Sequence, residues 1–322
     1  MQTFEWIDAT SVAQAVTLLG EDGVIAKAGG MDLLDLMKEG IVAPKRIVNL
    51  NLIDTLRGVR FAPSEGLRLG ALTTLAEIAV HPAINEHYSA LAQSAAHAAT
   101  PQVRNAATIG GNLLQRPRCW YFRNRQFHQQ GTDAVQLQDR EHQYHAIFDN
   151  ATTAMVHAST LATALIAYGA VVHLTGPNGR ERSILLKDFL VSPSMTADRD
   201  ADMAPDEVLT HISIPAPLAG ARALYHKQTE RDSYDWPIFD AAVVATKAQV
   251  IDSISIVIGS VAPTPMRAQV SESIIKGHAM SEALAKEAAQ AAVRTATPFE
   301  RNAYKVPMLE AVLRRMLLTV GA

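Results

Sequence analysis

Gly29-Gly30 stands between a short aliphatic run, Gly23-Val24-Ile25-Ala26, and a segment with helical spacing from about Asp32 to Lys38. A strand, a glycine pair and a helix in immediate succession restrict the N-terminal region to an α/β unit. Arg46-Ile47-Val48-Asn49-Leu50 supplies the next strand, and an earlier helix capped by Thr10 or Ser11 carries Val12, Ala15, Val16 and Leu19 on one face. Glycine admits unusual dihedrals and lets a ligand or another chain segment lie against the backbone. Peptide N–H groups at such a turn and at the helix start suit phosphate. An ordinary strand–helix turn needs the same residues. Thr108-Ile109-Gly110-Gly111-Asn112 is a second loop of this kind with two hydrogen-bonding side chains. Together the two loops can grip both ends of one dinucleotide, although neither is a G-x-G-x-x-G fingerprint.

Between the loops, Leu67–Leu72 alternates and meets a helix start at Thr73-Thr74. A longer helix is predicted from about Asn85 to Ala99, stopping before Pro101. Residues 116–148 are polar and aromatic without periodicity, a length of irregular chain that usually serves function. Ser159–Gly169 reads as a helix, and Val171–Ile184 as a hairpin turning at Gly176-Pro177-Asn178-Gly179. Val208–Ile214 reads as a strand. Beyond Ala221 the pattern changes to strands at 221–229, 241–247 and 253–259, with helices at about 266–276, 281–297 and 303–318. That order predicts a separate C-terminal α+β domain.

Composition removes several classes. The net charge of -3 has no basic block behind it, which argues against nucleic acid. No apolar run approaches the ~20 residues that span a bilayer. The start, MQTFEWIDAT, lacks the basic and apolar pattern of a signal peptide, so synthesis and folding in the cytoplasm are expected. The single cysteine, Cys119, excludes an internal disulfide and cannot by itself hold an iron–sulfur cluster.

Longer stretches carry a resemblance. AKAGGMDLLDLMK is similar to the first FAD loop of the flavoprotein subunits of the xanthine dehydrogenase and molybdenum hydroxylase family, and VRNAATIGGNLL resembles the second. LRLGALTTLAEI, EVLTHISIP and YHKQTERDSYDWPIFDAAV resemble the family's intervening and C-terminal segments, while RCWYF and YHAIF resemble the FAD subunits of bacterial periplasmic aldehyde oxidoreductases. The resemblance implies an α+β chain: a vanillyl-alcohol-oxidase-type (PCMH-like) FAD domain of two α/β subdomains, then a C-terminal antiparallel sheet with helices. The implied boundaries are 1–55, 56–218 with the insert 116–148, and 219–322. It also implies an FAD-binding electron-transfer subunit of a heterotrimeric aldehyde or N-heterocycle oxidoreductase. Its partners would be a molybdopterin-bearing large subunit, a small subunit with two [2Fe-2S] clusters and an external electron acceptor. With no export signal of its own, the chain would be cytoplasmic, or periplasmic by export with a signal-bearing partner.

The resemblance implies cofactor contacts at Ala26, Lys27, Ala28, Gly29, Gly30, Met31, Asp32, Leu33 and Leu34, and at Thr108, Gly110, Gly111 and Asn112. Thr160, Leu209 and Lys227 complete the set, with Tyr234 and Trp236 as residues able to flank the ring. No catalytic or metal-binding residue is expected. Met31 replaces the family's usual threonine, and VHAST at 156–160 replaces H-P-S-D, so Thr160 lacks the usual aspartate charge. The aldehyde oxidoreductase relatives hold an extra cluster on cysteines that match Cys119, His128, about Val135 and about Thr153. Only Cys119 remains, so no iron–sulfur cluster is expected in this chain. A metal held by His128, His142, His145, His157 and Cys119 is an alternative, although their spacing matches no usual zinc pattern. Hydrogen-bonded histidines and a buried, unreactive thiol are the other. Two competing functions are a self-contained flavoprotein oxidase, for which His226 and Tyr234 are the only candidates beyond Ala221, and a scaffold subunit without flavin.

Overall fold

The computed structural model describes residues 1–126, 137, 139–193, 199–247 and 249–322. The N-terminal unit runs β1 (Glu5–Asp8), α1 (Val12–Leu19), β2 (Val24–Lys27), α2 (Leu33–Lys38) and β3 (Arg46–Asn49). Its strands form a parallel sheet in the order β1-β3-β2. Ser11, rather than Thr10, caps α1 by accepting from the Gln14 amide. The buried face Ala15, Val16 and Leu19 packs with Val48, Leu50 and Ile53. β1 has no apolar alternation to mark it, since only Ile7 is even half-buried.

The middle unit is an antiparallel sheet in the order β4-β5-β8-β6-β7. Its strands are β4 (Val59–Ala62), β5 (Gly66–Gly70), β6 (Val171–Thr175), β7 (Glu181–Leu185) and β8 (Val208–Ile214). The helices between are α3 (Leu75–Val80), α4 (Pro82–His87), α5 (Ser89–Ala96), α6 (Pro101–Ala106), α7 (Ile109–Leu113), α8 (Trp120–Arg123), α9 (Thr160–Ala167) and α10 (Leu186–Phe189). The inner sheet face, Leu67, Leu69, Val172, Leu174, Ile212 and Ile214, shares a core with Leu91 and Ala95 of α5 and Leu161 and Leu165 of α9. The helix expected over 85–99 is two helices. The chain breaks at Tyr88 (φ -135°, ψ 49°), whose buried ring is held by a 2.8 Å hydrogen bond from its hydroxyl to the Pro215 carbonyl. That long-range bond overrides helical propensity. The Thr108–Asn112 loop is also corrected, since Ile109–Leu113 forms the short helix α7.

The C-terminal sheet has the order β12-β11-β10-β9. It comprises β9 (Ala221–Gln228), β10 (Phe239–Lys247), β11 (Ile251–Gly259) and β12 (Met266–Arg267), covered by α11 (Gln269–Ile275), α12 (Glu282–Val293) and α13 (Lys305–Gly321). The helix expected from Met266 starts later because Met266 and Arg267 pair with β11 first. β10 is buried on both faces. Phe239, Ala241, Val243 and Ala245 meet α12 and α13, while Ala242 and Val244 enter the middle core. A sheet covered on both sides reads as a nearly continuous apolar run.

Candidate cofactor site

The first glycine loop is the end of a parallel strand. β2 leaves the sheet at Lys27, and the Ala28 carbonyl is fixed by Asn51 Nδ2 at 2.8 Å. Gly30 turns the chain at φ +78°, and its carbonyl receives the Leu34 amide at 3.0 Å to open α2. The amides of Gly29, Gly30, Met31, Asp32 and Leu33 donate to no partner among the described residues. Successive unpaired amides at a turn form an anion-binding nest. Gly29 has a different reason to be glycine: a Cβ there would lie 2.1 Å from the Ala106 carbonyl oxygen.

The second loop is satisfied internally. Ile109 and Gly110 donate to the Thr73 and Ala71 carbonyls at 2.9 Å. Thr108 caps α7 through its Oγ1, which accepts from Gly111 N at 3.2 Å, and its carbonyl takes the Asn112 amide at 2.8 Å. Gly110 packs against Ala71, leaving Gly111 with only Thr108 Oγ1 near its missing Cβ. This loop therefore offers a smooth wall and a side chain, whereas the first loop offers amides. Ser159 Oγ donates to Asn112 Oδ1 at 2.6 Å while capping α9, so the Asn112 Nδ2 donor stays free among the described residues.

The two loops, Thr160, Leu209 of β8, Lys227 of β9 and the 234–237 turn enclose a cavity of about 1170 Å³. Every residue of the sequence-derived set lines it except Leu34, whose side chain packs beneath Gly30. Lys227 Nζ donates to the His97 carbonyl at 3.0 Å. Burial lowers its pKa, against the opposing pull of Asp240 and Asp235. Lys27, also lowered by burial, lies 5.3 Å from the Trp6 ring centre.

Asp32 has a role that its place in the loop did not reveal. Its carboxylate binds Arg123 Nη2 at 2.6 Å, Arg118 Nη2 at 3.0 Å and the Arg116 amide at 2.8 Å. The insert is thereby tied to the first loop. Arg118 also lines the cavity and stacks 4.7 Å over Trp236, and burial lowers its pKa. Sequence reasoning passed over Arg118; its only signal was an arginine pair, Arg116 and Arg118, inside a stretch without periodicity.

Among the described residues, His145 is the histidine that reaches Cys119, with Nε2 3.2 Å from Sγ. Burial raises the thiol to about 11. Burial, with Lys305 nearby, lowers His145 to about 4. His142 packs on Phe299, and His157 Nδ1 accepts from the Ser159 amide at 3.2 Å. Thr153 Oγ1 accepts from the Met155 amide at 3.3 Å. Among the described residues no three His, Cys, Asp or Glu side chains converge as metal ligands. His128 and Val135 lie outside the described residues.

Comparisons with known proteins agree with this architecture. Residues 2–217 match the FAD binding domain in molybdopterin dehydrogenase, and residues 224–320 match the CO dehydrogenase flavoprotein C-terminal domain. The chain is 30% identical over 305 residues to the aldehyde oxidoreductase FAD-binding subunit PaoB of Escherichia coli (strain K12), covering 92% of this chain and 91% of that protein. It is 30% identical over 321 residues to the carbon monoxide dehydrogenase medium chain of Hydrogenophaga pseudoflava, covering 98% and 96%. A solved structure of carbon monoxide dehydrogenase from Hydrogenophaga pseudoflava superposes with a TM-score of 0.79 at 27% identity, covering 99% of this chain and 97% of that one. By its two domains, its full-length relatives and its fold, the chain belongs to the FAD-binding subunit family of the molybdopterin dehydrogenases.

Proposed function

We propose that this chain holds FAD in the cavity and is the electron-transfer subunit of a heterotrimeric molybdenum hydroxylase of the aldehyde or N-heterocycle oxidoreductase type. Electrons enter from the clusters of a small iron–sulfur subunit, after substrate oxidation in a molybdenum-binding large subunit, and leave to an external acceptor. The observation that carries this reading is the run of unpartnered amides from Gly29 to Leu33 at the edge of a cavity of about 1170 Å³. Such a nest suits a pyrophosphate, and the volume suits a dinucleotide.

When bound, FAD supplies the redox chemistry. The chain's own residues position and tune. The 29–33 amides take the pyrophosphate, while the Asp32 carboxylate is neutralised by Arg118 and Arg123 and does not repel it. Asn112 Nδ2, held by Ser159, donates from the second loop. Thr160 and Leu209 line the wall, and Tyr234 and Trp236, which line the same cavity, would flank the ring. The Lys227 ammonium, fixed by the His97 carbonyl, would stabilise negative charge on the reduced ring. In this reading substrate chemistry belongs to the molybdenum-binding partner.

The boundaries 1–55, 56–218 and 219–322 follow the three sheets in this reading. Among the described residues no helix is long and apolar enough to cross a membrane. The complex would reside in the cytoplasm, or in the periplasm by export with a signal-bearing partner.

The test is an absorption spectrum of the purified chain with flavin and iron assayed on one sample. Flavin bands with near-stoichiometric FAD and no iron are expected. Roughly four irons per chain would overturn the cluster-free assignment. A colourless protein that stays colourless after incubation with FAD would replace the relay with the scaffold reading.

A further inference from the structure

The seam between the middle and C-terminal sheets holds a buried polar cluster with no role so far. Asp240 is 0% exposed, on the β10 face that carries Ala242 and Val244 into the middle core. Its Oδ1 accepts from Ser260 Oγ at 2.8 Å. Its Oδ2, the Tyr225 hydroxyl and the Thr163 hydroxyl are all buried, and none closes a well-formed hydrogen bond among the described residues. Gly259, opposite Asp240 on β11, keeps this space open: a Cβ there would lie 2.2 Å from Thr163 Oγ1 and 2.5 Å from Asp240 Oδ1. The Thr163 and Tyr225 hydroxyls still act on the Asp240 carboxylate as hydrogen-bond donors, so the three form one buried polar cluster with imperfect bonds, which calls for an explanation.

The cluster borders the cavity. The Tyr225 hydroxyl lies between Asp240 and Thr160, and Thr160 lines the cavity wall. Lys227 pairs across from Asp240 on β9 and lines the same wall. It is the cation that faces Asp240, and Asp235 and Arg104 in turn act on Lys227. The helices packed on this face, α5 and α9, carry no charged side chain.

We propose that Asp240, Tyr225 and Thr163 form a proton-exchange site for the adjoining cavity. When two electrons from the reduced iron–sulfur partner reach the cofactor, Asp240 Oδ2 binds one proton, passed from solvent through the hydroxyls of Thr160 and Tyr225. An O–H bond forms on Asp240, and Asp240 is neither oxidised nor reduced. The proton returns to solvent when the electrons leave. The inference rests on FAD occupying the cavity. Negative charge arriving in a low-dielectric site raises the proton affinity of a carboxylate nearby. Burial already holds this carboxyl at about 6, so it is poised to respond near neutral pH.

The experiment counts protons taken up per two electrons at pH 7, with a pH indicator in weak buffer, during photoreduction of the flavin-loaded chain. Wild type, Asp240→Asn and Tyr225→Phe are compared at equal flavin content. Asp240→Asn is expected to take up fewer protons than wild type, by a fraction approaching one. Tyr225→Phe, the milder packing change, is expected to take them up more slowly. Flavin-loaded variants with the wild-type count and rate would overturn this inference alone. A wild-type chain that binds no FAD would overturn it together with the reading beneath it.

Discussion

Gly29 and Ala106 touch backbone to backbone: a Cβ on Gly29 would lie 2.1 Å from the Ala106 carbonyl oxygen, and within 3.2 Å of the Ala107 Cα. The two glycine loops are thus one packed unit, and their separation is set by the absence of one methyl group. Gly29→Ala is expected to push them apart, cost about 1–3 kcal/mol of stability and abolish FAD retention. Gly111→Ala meets only the Thr108 hydroxyl, at 3.1 Å, and should keep the fold. Thermal melts alongside FAD titration separate the two cases. Equal melting points for Gly29→Ala and wild type would remove the packing argument.

Asp32 joins the first loop to the insert through Arg118 and Arg123. Its side chain is 16% exposed and that of Arg123 is 11% exposed, and Asp35 stays as a second partner of Arg118 at 3.5 Å and of Arg123 at 3.0 Å, so removing Asp32 weakens a charge network without ending it. Asp32→Ala is expected to cost about 1.5–3 kcal/mol and to expose the insert to protease before the rest of the chain. Limited proteolysis of the variant, with denaturant melts, checks both.

Met31 lies among the unpartnered amides and is 40% exposed. Met31→Thr supplies a hydroxyl at the anion nest without disturbing a core. Tighter FAD binding by about threefold to tenfold is expected, the worth of one added hydrogen bond. Unchanged or weaker binding, read by fluorescence quenching, would place the pyrophosphate elsewhere.

Lys305 is fully buried, and its Nζ donates to the Tyr144 and His145 carbonyls at 3.0 Å. Burial lowers its pKa from 10.5 to about 7. The folded state therefore resists the charged form: the penalty is complete below about 7 and vanishes above 10.5. This group's contribution makes stability rise with pH across that window. Lys305→Met should flatten the rise relative to wild type in melts taken at several pH values. Parallel curves for the two proteins would show that the lysine is not titrating there.

Cys119 is the only thiol, which makes its reactivity easy to read. Burial lifts it from 9.0 to about 11, so alkylation of the native chain at pH 8 should run about 100-fold slower than that of an ordinary thiol. Denaturant should restore the ordinary rate. Rapid labelling of the native protein would mean that the Cys119–His145 contact opens in solution.

What could be read without coordinates was what neighbours in the chain decide. The hairpin at 171–185, the capped starts at Ser11 and Thr74, and the turn at Gly30 all follow from side chains a few positions apart. The motif pair around Gly29-Gly30 and Gly110-Gly111 likewise marked the cavity wall, apart from Leu34. Distant pairings were not legible. Asp32 looked like a loop residue until Arg118 and Arg123 closed on it, and the helix over 85–99 looked continuous until Tyr88 found Pro215. Asp240 lay outside the strand expected over 241–247, and only the packing of β10 against α9 buried it beside Tyr225 and Thr163. Turn chemistry and periodicity are local energies written in order along the chain. The burial of a charge depends on which remote surfaces meet, and only the folded core decides that.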